Sequence, residues 1–236
     1  MTTEARRNPV GPDKRPDGTP ACETGDLIII HNLFRRLYAE APQLVRAVPD
    51  GSAERTRVVA DHVDDLSRAL HIHHTGEDEV LWDRLEQRAP ACAMHVGQMR
   101  EQHARIAELL DRLDGEVAAW RGGATAAHGE VVAATLDEIR GSLFSHLGQE
   151  EEDIAPVAAV TLTQEEWNLM GEHGMAQIPK DKLLMQLGAI LDGLDPEERK
   201  HFLKNVPAPA RLLWVLLGKR KYAQAQRQLY ADITPA

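Results

Sequence analysis

The chain has 236 residues, a formal net charge of −10 and 43% apolar residues. That is enough apolar matter for one ordinary domain with an addition, and the acidic balance argues against a nucleic-acid surface, which needs clustered Lys and Arg. The eleven histidines stand out against three Tyr and three Phe.

Residues 1–22 are rich in proline, glycine and charge (Pro9, Pro12, Pro16, Gly18, Pro20) and read as a mobile tail without the apolar core of a signal peptide. A first helix is expected from Thr24 or Asp26 to about Val48, and Pro49-Asp50-Gly51-Ser52 makes a turn. A second runs from Ser52 to about Arg88, before Pro90. A third runs from about Ala91 to Arg121, before Gly122-Gly123, and a fourth from about Thr125 to Glu152, before Pro156. Four helices with short turns predict an all-α, antiparallel up-down four-helix bundle over 23–158. Beyond it, 159–236 is expected as a helical extension packed on the bundle, not as a separate catalytic domain. Its helices are predicted near 163, where Gly171, Gly174 and Pro179 interrupt, and at 181–194, 196–204, 208–217 and 220–230.

Cys22 and Cys92 have no CxxC spacing and read as free thiols of a reducing compartment. The apolar run Leu212–Leu217 has six residues, where a bilayer span takes about 20. Lys219-Arg220-Lys221 follows it. A weak membrane contact is weighed against a buried helix ending in its favoured cations, and the buried helix is the expectation. The protein is expected to be soluble and cytoplasmic, without stable membrane insertion.

The chemistry sits in an internal duplication. His73-His74-Thr75-Gly76-Glu77 and His146-Leu147-Gly148-Gln149-Glu150 each carry His-x-x-x-Glu, 73 residues apart, and His31 and His103 precede them 72 apart. Residues at i and i+4 share a helix face, so His73 with Glu77, and His146 with Glu150, can reach the same metal pair. With turns near 50, 90 and 123, Glu77 lies 13 residues before the second turn and His103 lies 13 after it, and the other mismatches amount to about one helical turn. The groups therefore fall in one slab of the bundle. A lone histidine on an apolar face is ordinarily structural, and a lone His-x-x-x-Glu is ordinarily a solvated pair. The repetition at one offset is what points to metal. Imidazole with carboxylate suits iron or manganese.

On these residues 24–156 resemble a hemerythrin domain of the His-His-Glu cation-binding class, with Ile154-Ala155-Pro156 similar to the family's ending of the fourth helix. The resemblance implies two Fe ions, oxo- or hydroxo-bridged, with Mn less favoured. It assigns His31, His73, Glu77, His103, His146 and Glu150 as metal ligands, with Glu77 and Glu150 bridging. One departure is Met99, which stands four before His103 where the family has a second histidine. A thioether is a poor ligand for oxidised iron. His95 and His62 are too far along their helices to replace it, and His74 points about 100° away from His73 and would need a local distortion. That leaves an open iron position able to admit water, peroxide or dioxygen.

Asp78, Glu79 and Glu151 either orient the imidazoles or are simply exposed, and exposure is expected. Tyr38 either lines the site or belongs to the core. His71, His128, His173 and His201 read as surface residues, and Trp82 and Trp120 as packing. Three functions fit: binding or sensing of dioxygen or related oxidants, with partners or self-association through the extension; a catalase- or peroxidase-like enzyme disposing of peroxide or nitric oxide; and an iron buffer. A ferritin-like site needs Glu-x-x-His on two helices, and 24–158 contain none.

Overall fold

The structure is a computed structural model that describes residues 11–233. It is all-helical, with no strand among the described residues. The helices are α1 (Gly25–Arg46), α2 (Ala53–Val80), α3 (Trp82–Arg88), α4 (Ala93–Gly123), α5 (Ala126–Gln149), α6 (Ala155–Thr161), α7 (Gln164–Gln177), α8 (Leu183–Asp192), α9 (Pro196–Asn205), α10 (Ala208–Leu213) and α11 (Lys219–Leu229). A short 3₁₀ turn, Pro90–Cys92, precedes α4, and π turns occupy Glu150–Ile154 and Trp214–Gly218.

Local chemistry explains where these elements depart from the expected ones. The second expected helix is divided at Leu81, where the Arg84 guanidinium donates to the Val80 carbonyl and takes it from the ladder. Leu81 N–H still donates to Glu77, and Leu85 N–H to Leu81, so the break is slight. The fourth expected helix widens into the π turn because Pro156 has no N–H for the Glu152 carbonyl, and Ala155 N–H donates five residues back to Glu150 instead. α7 runs through Gly171 and Gly174, where an interruption was expected. Each costs about 1 kcal/mol against alanine, which a 14-residue helix tolerates.

The chain forms two compact units. The first contains the residues up to His31, Ser67–Arg112 and Glu138–Gln177. Its apolar core gathers Cys22, Leu27, Trp82, Val96, Met99 and Trp167 among others, all at most 5% exposed. The core indoles find acceptors, Trp82 Nε1 at Asp78 Oδ1 (2.7 Å) and Trp167 Nε1 at Asp26 Oδ1 (2.9 Å). Burial pushes the Cys22 thiol up to about 12 and raises that of Cys92. A mobile tail was expected over 1–22. Residues 1–10 lie outside the described residues. In 11–22, Arg15 Nη2 donates to the Leu162 carbonyl (2.6 Å) and Cys22 N–H to the Ala159 carbonyl (2.8 Å), supplying the end of α6 with donors it lacks.

The second unit contains Asn32–Leu66, Leu113–Asp137 and the residues from Ile178 on. Phe34, Tyr38, Ala41 and Val45 line one face of α1 here and are buried. Asp50 Oδ1 accepts the N–H of Ala126 at the start of α5 (2.7 Å), and Gly51 adopts the positive φ of 76° that its turn needs. The C-terminal helices bind to the same unit. Lys182 pairs with Asp65 (2.6 Å), Arg36 donates to the Ala189 carbonyl (2.8 Å), and Arg55 pairs with Asp232. The run Leu212–Leu217, expected to be buried, buries only Trp214. No helix of the described residues is long and apolar enough to cross a membrane.

Candidate metal centre

All six sequence-predicted ligands lie in the first unit, and the structure brings them together with a seventh group, His74. His31 comes from α1. His73, His74 and Glu77 come from the C-terminal part of α2, His103 from α4 and His146 from α5, and Glu150 opens the π turn. They form two sets, His31, His73, Glu77 and Glu150, and His74, Glu77, His103 and His146. Within each set, one ligand atom per residue lies within 4.8 Å of all the others. Glu77 belongs to both.

The imidazoles turn Nε2 inward. His31 Nε2 lies 3.3 Å from Glu150 Oε2, His73 Nε2 lies 3.1 Å from Glu77 Oε1, and His103 Nε2 lies 3.4 Å from Glu77 Oε2. His103 Nε2 and His146 Nε2 face each other at 3.2 Å. Outer partners hold the Nδ1 atoms: His31 donates to Glu151 (2.8 Å), His103 to Asp78 (2.9 Å) and His146 to Gln102 Oε1 (3.0 Å). The Gln102 amide is itself oriented, because its Nε2 donates to Gln149 Oε1 at 2.6 Å. Its oxygen therefore faces His146, which fixes that ring as the Nδ1–H tautomer with Nε2 bare. Asp78 and Glu151, for which exposure was expected, thus orient the imidazoles of His103 and His31. Glu79 does not, and lies 3.4 Å from His173 Nδ1.

Electrostatics follow from burial. Burial opposes charge on His31, but Glu150 and Glu151 outweigh it and hold the ring up at about 9. At His103, burial is likewise overcome, here by Asp78 and Glu77, again to about 9. Burial pushes His146 down to about 4 and drives His73 and His74 well below 6.5. It lifts Glu77 to about 8, with the charge of Glu150 adding to the effect. At Glu150 burial raises the pKa, but His31 wins and the carboxyl stays below its ordinary range.

Both oxygens of Glu77, both oxygens of Glu150 and Nε2 of His31 and His74 are buried without a hydrogen bond. Leaving a buried polar atom unsatisfied costs about 1–3 kcal/mol, and more if it is charged. A cation in each set satisfies all of them at once, so the donors fit metal ions.

Met99 is no part of this arrangement. It is fully buried in the apolar cluster with Trp82 and Val96. His74 occupies the second set, with its ring stacked on that of His103 at 4.1 Å. The sequence signal for it was available, because His74 and Glu77 are three apart and i,i+3 neighbours also share a face. Gln102 and Gln149 carried no comparable signal. Tyr38 is fully buried, His71, His128 and His201 are exposed, and Trp82 and Trp120 are buried packing residues.

A cavity of about 170 Å³ opens beside the second set, lined by His71, His74, Asp78, Arg100, His103 and Ala104 among others. Because Asp78 Oδ1 accepts from both His103 Nδ1 and Trp82 Nε1, Asp78→Asn should weaken metal binding about 10–100-fold with the fold retained, measured by chelator competition.

Neither the curated proteins nor the solved structures yield a match to the chain. The hemerythrin HHE cation binding domain does match, over residues 27–158. That stretch is more than half of the sequence and holds every residue of both sets, and the chain belongs to this family.

Proposed function

We propose that the chain is a non-haem di-iron protein that binds or senses dioxygen or a related small oxidant. The observation that carries this reading is the membership of Glu77 in both four-residue sets, because a shared carboxylate can tie two ions into one centre. In this reading α1, α2, α4 and α5 form an antiparallel up-down four-helix bundle over 23–158, and 159–236 is its helical extension. His31, His73, Glu77 and Glu150 hold one ion. His74, Glu77, His103 and His146 would hold the other.

The donor mixture of imidazole and carboxylate suits iron, with manganese less favoured. When bound, the ions supply one-electron redox chemistry and a coordination position for a small ligand. The chain's own residues do the rest. Glu77 and Glu150, both fully buried, offset the positive charge. Glu151, Asp78 and Gln102 keep the protons of His31, His103 and His146 on Nδ1, which leaves Nε2 free to bind and raises its basicity.

A second reading, disposal of peroxide or nitric oxide, is favoured by the cavity beside His74 and His103, which has room for a diatomic or peroxide and a few waters. Metal analysis with visible spectroscopy separates the readings. Oxygen binding requires two irons per chain and a ligand-to-metal band that appears in air and fades on deoxygenation. Catalytic loss of peroxide without a reversible band supports the enzyme. A colourless protein that only takes up and releases metal is a buffer, and a chain with no iron or manganese removes the proposal.

A further inference from the structure

The C-terminal apolar run bears on a different surface. Trp214 and Gly218 are buried, and the Trp214 ring covers Gly218 so closely that a Cβ there would collide with it. Tyr222, two turns on from Trp214, packs against Gly188 of α8. Residues 214, 218 and 222 are thus the seated edge of this helix. The other faces are bare: Leu212 is 60% exposed, Val215 59% and Leu216 65%, with Leu213 and Leu217 also exposed. Five large aliphatic side chains over two turns is more than isolated surface residues explain.

The charge around them is one-sided. Residues 206–230 contain five Lys or Arg and no Asp or Glu, in a chain whose net charge is −10. Arg211, Lys219, Arg220 and Lys221 are exposed and have no side-chain partner among the described residues. Lys219 and Arg220 follow Leu212 and Leu213 by seven positions, and Lys221 follows Leu217 by four. Each bare apolar face therefore turns basic within about 6–10 Å along the axis. Apolar side chains beside unpaired cations match a lipid interface, where anionic headgroups border the acyl layer.

We propose that residues 211–221 dock the protein reversibly onto an anionic lipid surface, lying in the interface and not crossing it. Unpaired cations are what distinguish this occupant from a second copy of the chain, whose identical face would bring like charges together. The inference is independent of the metal reading.

Vesicle co-flotation of the full chain tests it. Binding is expected to vesicles containing phosphatidylglycerol, to weaken as salt rises, and to be slight on phosphatidylcholine alone. Lys219→Glu with Arg220→Glu and Lys221→Glu should weaken it about a hundredfold or more. Leu212→Ser with Leu216→Ser should weaken it about tenfold or more. These side chains are exposed, so both variants should melt like the parent and keep its metal content. Failure of the parent chain to float with phosphatidylglycerol, or flotation that neither variant reduces, overturns the proposal. So does a dimer that Leu216→Ser dissociates while vesicle binding is absent.

Discussion

Glu77→Gln should strip both ions from the protein, whereas His74→Ala and Glu150→Gln should each leave one. Glu77 is the single residue in both sets. The amide keeps its shape but loses the charge and one acceptor, so each set is left with three competent donors and less negative charge. Each affinity should fall by well over the roughly 10–100-fold expected for loss of an outer partner. His74→Ala removes a donor only from the set with His103 and His146. Glu150→Gln removes one only from the set with His31 and His73. Metal-to-protein ratios after dialysis against a weak chelator read the pattern directly. Equal losses for all three variants would mean that the two sets are not separate sites.

Removing the metal should destabilise the protein more than His74→Ala or Glu150→Gln, each of which leaves one ion in place. An ion held at a free concentration a thousand times its Kd adds about 4 kcal/mol to the folded state, and in a chain of this length each kcal/mol moves Tm by about 2–4 °C. Two ions therefore imply an apoprotein melting at least about 16 °C lower, measurable by calorimetry with and without chelator. The gap should also depend on pH. In the metal-free chain His31 and His103 sit at about 9 against an ordinary 6.5. Their ion pairs contribute in full below pH 6.5 and are lost as pH rises through 9. Glu77, raised from 4.5 to about 8, acts in the same direction. His146 acts in the opposite one: pushed down to about 4, it withdraws stability as pH falls from 6.5 toward 4. Apoprotein stability should thus peak near pH 6.5. Bound cations take the place of the protons on His31, His103 and Glu77, so the Tm difference between loaded and stripped protein should widen from pH 6.5 to 9. A constant difference would contradict this assignment of charges.

The residues that meet in the first unit were largely legible in the sequence because helical spacing is rigid. His-x-x-x-Glu at one offset, with a histidine upstream of each copy, sufficed to select six of the seven side chains. His74 is harder to read, because it points about 100° away from His73, although its three-residue spacing to Glu77 puts those two on a shared face. Asp78 and Glu151 were ambiguous for a different reason. An acid beside a ligand looks the same in sequence whether it faces a histidine or water, and only the turn of the backbone decides. At Glu151 the π turn makes that decision, and Pro156 was its one visible trace. The run Leu212–Leu217 misled because an apolar stretch does not say which of its residues are covered. Here the small Gly218, which lets the Trp214 ring lie flat, determines the seated edge.

The two buried thiols have a consequence for a protein proposed to bind oxidants. Only the thiolate reacts readily, and a Cys22 pKa near 12 keeps that form vanishingly rare at neutral pH. Cys22 and Cys92 sit in the apolar core of the same unit as the histidines and glutamates. Their sulfur is consequently spared while that core stays shut, and its chemical attack records how often the core breathes.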